Sequence, residues 1–170
     1  MSKAFTRESD DTPDRPIRPR RASPLPPGAR NYLTPDGASR LRQELDHLMQ
    51  TERTRLTGLP QDDDTQRRLH DVNERIAYLQ QSLQTAVVAS PPVPPHEHAH
   101  FGATVTVREH HGDETRYRIV GVDETDIDRD WVSWLSPIAK ALLNARLGQR
   151  VRLKLPSGER ELEVVSIAYE

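Results

Sequence analysis

The stretch Leu69-His70-Asp71-Val72-Asn73-Glu74-Arg75-Ile76-Ala77-Tyr78-Leu79-Gln80-Gln81-Ser82-Leu83 decides how this chain folds. Its apolar residues, Leu69, Val72, Ile76, Leu79 and Leu83, alternate spacings of three and four without a fault. Residues so spaced share one stripe of a helix, so the segment predicts a helix seamed against another as in a coiled coil. The partner lies upstream. Leu41, Leu45 and Leu48 keep the spacing, and Leu56 and Leu59 follow in a broken register, since Glu52 takes the expected seam position. Thr34-Pro35-Asp36 opens this arm. The hydroxyl can cap free amides, proline suits the first turn, and the carboxylate favours the positive helix end. Gly58 and Pro60 end it. The two arms, residues 34–59 and 64–86, are joined by a short turn and so run antiparallel. Each would be about 36–39 Å long at the helical rise.

Asp62, Asp63 and Asp64 occupy that turn. An acidic tip on a thin rod can carry carboxylates into another molecule. The plainer role of the same acids is to stabilise the first turn of the second helix through its dipole. A pair of lone helices buries one seam, which suits a probe, a spacer or an adaptor that dimerises through its hairpin. The seam is already satisfied within one hairpin, so a monomer is expected.

The 170 residues allow one or two small domains. Most of the 14 prolines lie in residues 13–35 and 91–95, which read as tail and linker. Cysteine is absent, which excludes disulfides and thiolate metal sites and fits a reducing cytoplasm. No apolar run approaches a membrane span, and the N-terminus lacks the apolar core of a signal peptide. Residues 1–30 carry seven basic and four acidic side chains, residues 31–88 seven and nine, and residues 89–170 ten and thirteen. The folded parts are therefore mildly acidic, which argues against a duplex-DNA reader. The tail, with Arg15, Arg18, Arg20 and Arg21, reads as a disordered Pro/Arg-rich extension or a weak contact to nucleic acid.

From Phe101 the apolar period changes to two, and residues 101–170 read as a small antiparallel β domain with one helix. Val105 and Val107 alternate with polar neighbours. His110-His111-Gly112-Asp113 forms a turn, and Tyr117, Ile119 and Gly121 complete a hairpin. Residues 123–130 form a loop with five acids, including Asp123 and Glu124, and a strand from Trp131 to Leu135 follows. Ser136-Pro137 opens the helix, Ile138, Ala141 and Leu142 share its apolar face, and Gly148 lies just past its end. Arg150–Leu155 and Arg160–Tyr169, around Pro156-Ser157-Gly158, form the last strand pair. The expected organisation is tail 1–30, hairpin 31–88, linker 89–100 and β domain 101–170, an α+β chain.

Residues 101–170 resemble the C-terminal, FKBP-like domain of the bacterial Gre transcript cleavage factors. Phe101-Gly102-Ala103, Arg118-Ile119-Val120-Gly121, Gly148 and Pro156-Ser157-Gly158 carry the likeness. The run Ser136-Pro137-Ile138-Ala139-Lys140-Ala141-Leu142-Leu143 is its most specific part. Tyr32, Leu33, Thr34, Gly37, Leu41, Glu44, Leu45 and Leu48 resemble the family's opening helix, so the likeness spans about residues 31–170 and leans towards the GreB branch. The resemblance implies a bacterial RNA polymerase partner, with nascent RNA and DNA met only through the elongation complex. The C-terminal domain would dock at the rim of the polymerase secondary channel, and the coiled coil would enter it. Tip acids of the family help hold a second Mg²⁺ of the polymerase and promote hydrolysis of backtracked RNA, a two-metal logic. No cofactor of the chain's own is implied, and it would be no enzyme in its own right. Ser136, Pro137, Ile138, Trp134, Asp123 and Glu124 are the candidate partner contacts, and Asp62, Asp63 and Asp64 the candidate tip acids.

The tip departs from the family. The acid pair of the family sits in a Gly-Asp-x-Ser-Glu-Asn-Ala type pattern, whereas this turn reads Gly58-Leu59-Pro60-Gln61-Asp62-Asp63-Asp64-Thr65. From Leu41 to Leu79 the chain is about a dozen residues shorter than GreB-like sequences. Shared between two arms, that removes about 9 Å of reach, part of which an unwound Gly58–Gln61 segment can recover. The shortening raises a second expectation, a cleavage-inactive regulator that occupies the same channel and competes with cleavage factors. His96-Glu97-His98-Ala99-His100 matches a zinc-binding pattern, but that site needs a helix, and the surrounding prolines read as linker. Trp131 and Trp134 differ in strand parity, so one is expected inside and the other exposed.

Overall fold

The computed structural model describes residues 25–170 and is a mixed α+β structure. The Pro/Arg-rich segment with Arg15, Arg18, Arg20 and Arg21 lies outside the described residues. A short strand, β1 (Asn31–Leu33), leads into α1 (Pro35–His47). Thr34 caps α1 as expected, its hydroxyl accepting the Gly37 amide at 3.0 Å. A π-helical turn, Leu48–Glu52, follows, and α2 (Arg53–Thr57) completes the first arm. The break in the leucine register has its cause here. A π turn holds an extra residue, which rotates the next seam position by one. The seam therefore lands on Leu56, which is fully buried, and Glu52 is carried off it. Leu59 lies beyond the helix and is exposed.

The second arm is one helix, α3 (Asp63–Thr85), capped by Asp62. Ile76 and Leu79 are buried against the first arm, and Leu33, Ala38, Leu41 and Leu79 form a small core at the root. Arg75 ties the arms by a two-pronged bond to Glu44, at 2.7 and 2.9 Å. After α3 the chain returns as β2 (Ala86–Val88), which pairs with β1 in parallel and clasps the base of the hairpin. The period-three pattern gave no sign of this clasp, because two three-residue strands leave no periodicity to read.

The remaining strands are β3 (Ala103–Glu109), β4 (Glu114–Val120), β5 (Trp131–Ser133), β6 (Arg150–Leu155) and β7 (Gly158–Tyr169), in the sheet order β5-β4-β3-β7-β6. A bulge opposite Thr106 and Val107 curls β7. One face is covered by α4 (Pro137–Leu142), whose Ala139 and Leu142 are fully buried with Val105, Val107 and Val164. Ile138 and Ala141, expected on that face, are only partly buried.

Two expectations are corrected. The sheet is not wholly antiparallel, because β5 runs parallel to β4. The acidic loop between them crosses the root of the hairpin before returning, which reverses the usual hairpin direction. Helix α4 ends well before Gly148. Asn144 takes φ 65°, and its amide bonds to Ala99 O at 2.7 Å. A residue of the expected linker thus competes with the next helical turn. Ala99 is wholly buried in the sheet core, and His98 bridges to Arg146.

Candidate functional site: the tip and root of the hairpin

At the tip, Gly58 to Asp62 are non-helical, and all three acids are exposed. Asp62 accepts the Thr65 amide at 2.8 Å, so its carboxylate serves as the helix cap. That hydrogen bond holds the Asp62 carboxyl below its ordinary pKa. Asp64 pairs with Arg68 one turn on, at 3.0 Å. Asp63 has no side-chain partner among the described residues and leaves its backbone carbonyl to Arg67. Gln61 closes the turn by donating to Leu59 O at 2.9 Å. Every contact at the tip is therefore local. Among the described residues no group of three or more His, Cys, Asp or Glu side chains is placed to hold a metal ion.

The root is built differently. Gly121 leads into a single 3₁₀ turn, Val122–Glu124, that aims two adjacent carboxylates at the hairpin. Glu124 is only 4% exposed. One of its oxygens accepts the amides of Thr34 at 2.9 Å and Gly121 at 3.0 Å. The other takes a short bond from the Thr34 hydroxyl and lies 3.8 Å from the Arg40 guanidinium. Burying a carboxylate is costly unless its lone pairs are filled, and here they are. Asp123 meets the other arm. It accepts a short bond from the Tyr78 hydroxyl, and its second oxygen takes the Ser82 hydroxyl at 2.5 Å. Burial, reinforced by the bond to Asp123, pushes the Tyr78 phenol well above its ordinary pKa. Asn31 completes the root by donating to Ser82 O at 2.9 Å.

This close approach requires glycine at two points. A Cβ at Gly37 would lie 1.9 Å from the Glu124 carboxylate, and one at Gly121 would lie 2.2 Å from Tyr32 O. Both glycines have negative φ, so space rather than backbone freedom selects them. Asp123 and Glu124 thus point toward the root of the hairpin. Partners 45 and 90 positions away in the chain gave the sequence no local signal of this role.

The other candidates also bear on the fold. Ser136 caps α4 by accepting the Ala139 amide at 3.2 Å, Pro137 is its exposed first residue, and Ile138 packs partly on the core. Neither tryptophan follows the inside-or-outside expectation, and both are half-buried. Trp134 packs edge-on against Tyr32 of β1, with ring centroids 5.3 Å apart. The Trp131 ring is faced by Arg40, Arg118 and Arg129 at 4.6 to 5.3 Å, so it links α1 to the sheet edge. His96 to His100 form no helix. His98 accepts from Arg146 at 3.0 Å, and the His96 ring packs tilted against Tyr169. No helix among the described residues is long and apolar enough to cross a membrane.

Residues 94–169 match the family model described as transcription elongation factor, GreA/GreB, C-terminal. The chain is 34% identical to the transcription elongation factor GreB of Neisseria meningitidis serogroup B over 154 residues, covering 82% of this chain and 94% of that protein. It is 33% identical to GreB of Pseudomonas aeruginosa, covering 81% and 89%. Among solved structures, GreA factor homolog 1 of Thermus thermophilus is 25% identical with a TM-score of 0.39, covering 82% of this chain and 99% of that one. A one-third identity that runs through both the hairpin and the sheet places the chain in a family: it belongs to the GreA/GreB transcription elongation factors.

Proposed function

We propose that this protein binds bacterial RNA polymerase and regulates elongation by presenting its hairpin, a coiled-coil arm, to the secondary channel. The FKBP-like part that follows the hairpin docks at the channel rim. Residues 31–88 are the arm, and the sheet part begins by Ala99. The observation that carries the reading is the combination of family membership with a hairpin whose acids lie at its free end, far from the clasp at its base. The seam residues Leu41, Leu56, Ile76 and Leu79 are buried within the hairpin, which supports a monomer over an adaptor that dimerises through it. A pull-down with core polymerase tests the reading. Retention of the full-length chain is expected, and no retention would overturn it.

A second reading concerns what the tip does once there. Asp62 is engaged as a cap and Asp64 as an ion pair, which leaves Asp63 as the one acid without a side-chain partner at the tip. Mg²⁺ takes oxygen ligands within about 2.1 Å, so a lone acid on a shortened arm is a poor donor set. That observation favours a channel occupant that competes with cleavage factors. A cleavage assay on backtracked complexes separates the two. Cleavage that disappears in an Asp62/Asp63/Asp64→Ala variant assigns the chemistry to the tip, and its absence with the parent protein assigns competition.

A further inference from the structure

We infer that Asp123 and Glu124 are positioning residues that set the direction in which the arm leaves the sheet. The two are adjacent in the chain and hold opposite arms. Glu124 grips the start of α1 through Thr34, and Asp123 grips α3 through Tyr78 and Ser82, one helical turn apart. Attachments on two helices fix rotation as well as tilt. Hydrogen bonds are directional, whereas apolar contact is not, so a joint of this kind constrains an angle as well as adhering. The glycines at 37 and 121 let the backbones approach closely enough for the bonds to form.

The arm makes that angle matter. Asp63 lies about 22 Å along α3 from Tyr78 at the helical rise, so a swing of about 10° at the root moves the tip by about 4 Å. Displacements of that size separate productive from unproductive placement of a group in a partner's active site. The consequence for transcription rests on the polymerase reading above, but the geometry does not.

The test uses the full chain, which contains no cysteine, so spin labels can be placed cleanly at Asp63→Cys and Ser157→Cys. The parent is expected to show one narrow interspin distance. The Asp123→Asn/Glu124→Gln variant is expected to broaden or shift it by about 4 Å. In the parent, Thr34→Ser, which keeps the hydroxyl, should retain the narrow distribution, whereas Thr34→Val should broaden or shift it. Unlabelled, the double variant should lose its effect on elongation by about tenfold or more at saturation. If the double variant fails to fold, Tyr78→Phe/Ser82→Ala strips Asp123 of its partners without touching buried Glu124 and carries the same expectation. An unchanged narrow distance in whichever variant folds overturns the inference. A parent that does not bind polymerase overturns the functional reading alone, because the distance measurement is made on the free protein.

Discussion

The two ends of the hairpin are built on opposite principles. At the root, buried and half-buried polar groups, with the more exposed Tyr78 hydroxyl, meet partners 41 to 90 positions away. At the tip, acids are exposed and their partners lie within five residues. Buried long-range bonds lock a geometry, because breaking one leaves a desolvated group unmatched. Exposed local bonds shape a turn and leave its surface free, since water replaces each at little cost. The root is tied across long stretches of chain, and the tip is exposed and held by local bonds.

Six substitutions, in three root-and-tip pairs, can break or sharpen that contrast. The largest effect is expected in the seam. Leu79→Ala removes a fully buried side chain at the root and should cost about 3 kcal/mol in urea unfolding, whereas Leu59→Ala, at the exposed tip, should cost under about 0.5 kcal/mol. Equal losses would mean that the hairpin unfolds as a unit insensitive to its root. Next are the glycines. Gly121→Ala drives a Cβ against a backbone carbonyl and should cost about 2 kcal/mol. Gly58→Ala meets only ordinary contacts at 3.6 Å and beyond, so it should be neutral or stabilise by up to about 1 kcal/mol.

Smaller effects are expected from the titrating groups. Tyr78→Phe removes one donor to Asp123 and should cost about 1 kcal/mol at neutral pH. The folded phenol has a raised pKa, so this contribution is fully present below the ordinary phenol range and is lost as pH rises through the raised value. Parent and Phe variant should therefore converge only in strong alkali, read by denaturant melts across pH. The Asp62 carboxyl works in the opposite direction. Its folded pKa is lowered, so its capping is present above the ordinary carboxylate range and fades as pH falls through the lowered value. Asp62→Ala should speed hydrogen exchange at the Thr65 amide and leave the Thr34 and Gly121 amides unchanged. Faster exchange at all three would show that tip and root are coupled.

Much of this was readable in the chain. The arms follow from the leucine spacing, their starts from Thr34-Pro35 and Asp62, and the strands from alternation through Val105, Val107 and Ile119. The seam break at Glu52 was visible as a fault, and the π turn supplied its reason. The root joint was not readable. Glu124 looked like any acid in an acidic loop, and Gly37 and Gly121 looked like pattern residues without a cause. Trp131 resisted for a similar reason, since its three guanidiniums come from α1, β4 and a loop.

Local chemistry determined the elements of this protein. Helix periodicity, capping side chains, proline and strand alternation act over a few residues, so the sequence alone carried them, along with the acids at the free end. Only the tertiary structure decided how those elements are held. The direction of the arm depends on a carboxylate meeting an amide 90 positions away and on two glycines leaving room for it. Such contacts depend on the packing of the whole chain, and no residue's neighbours in sequence record them.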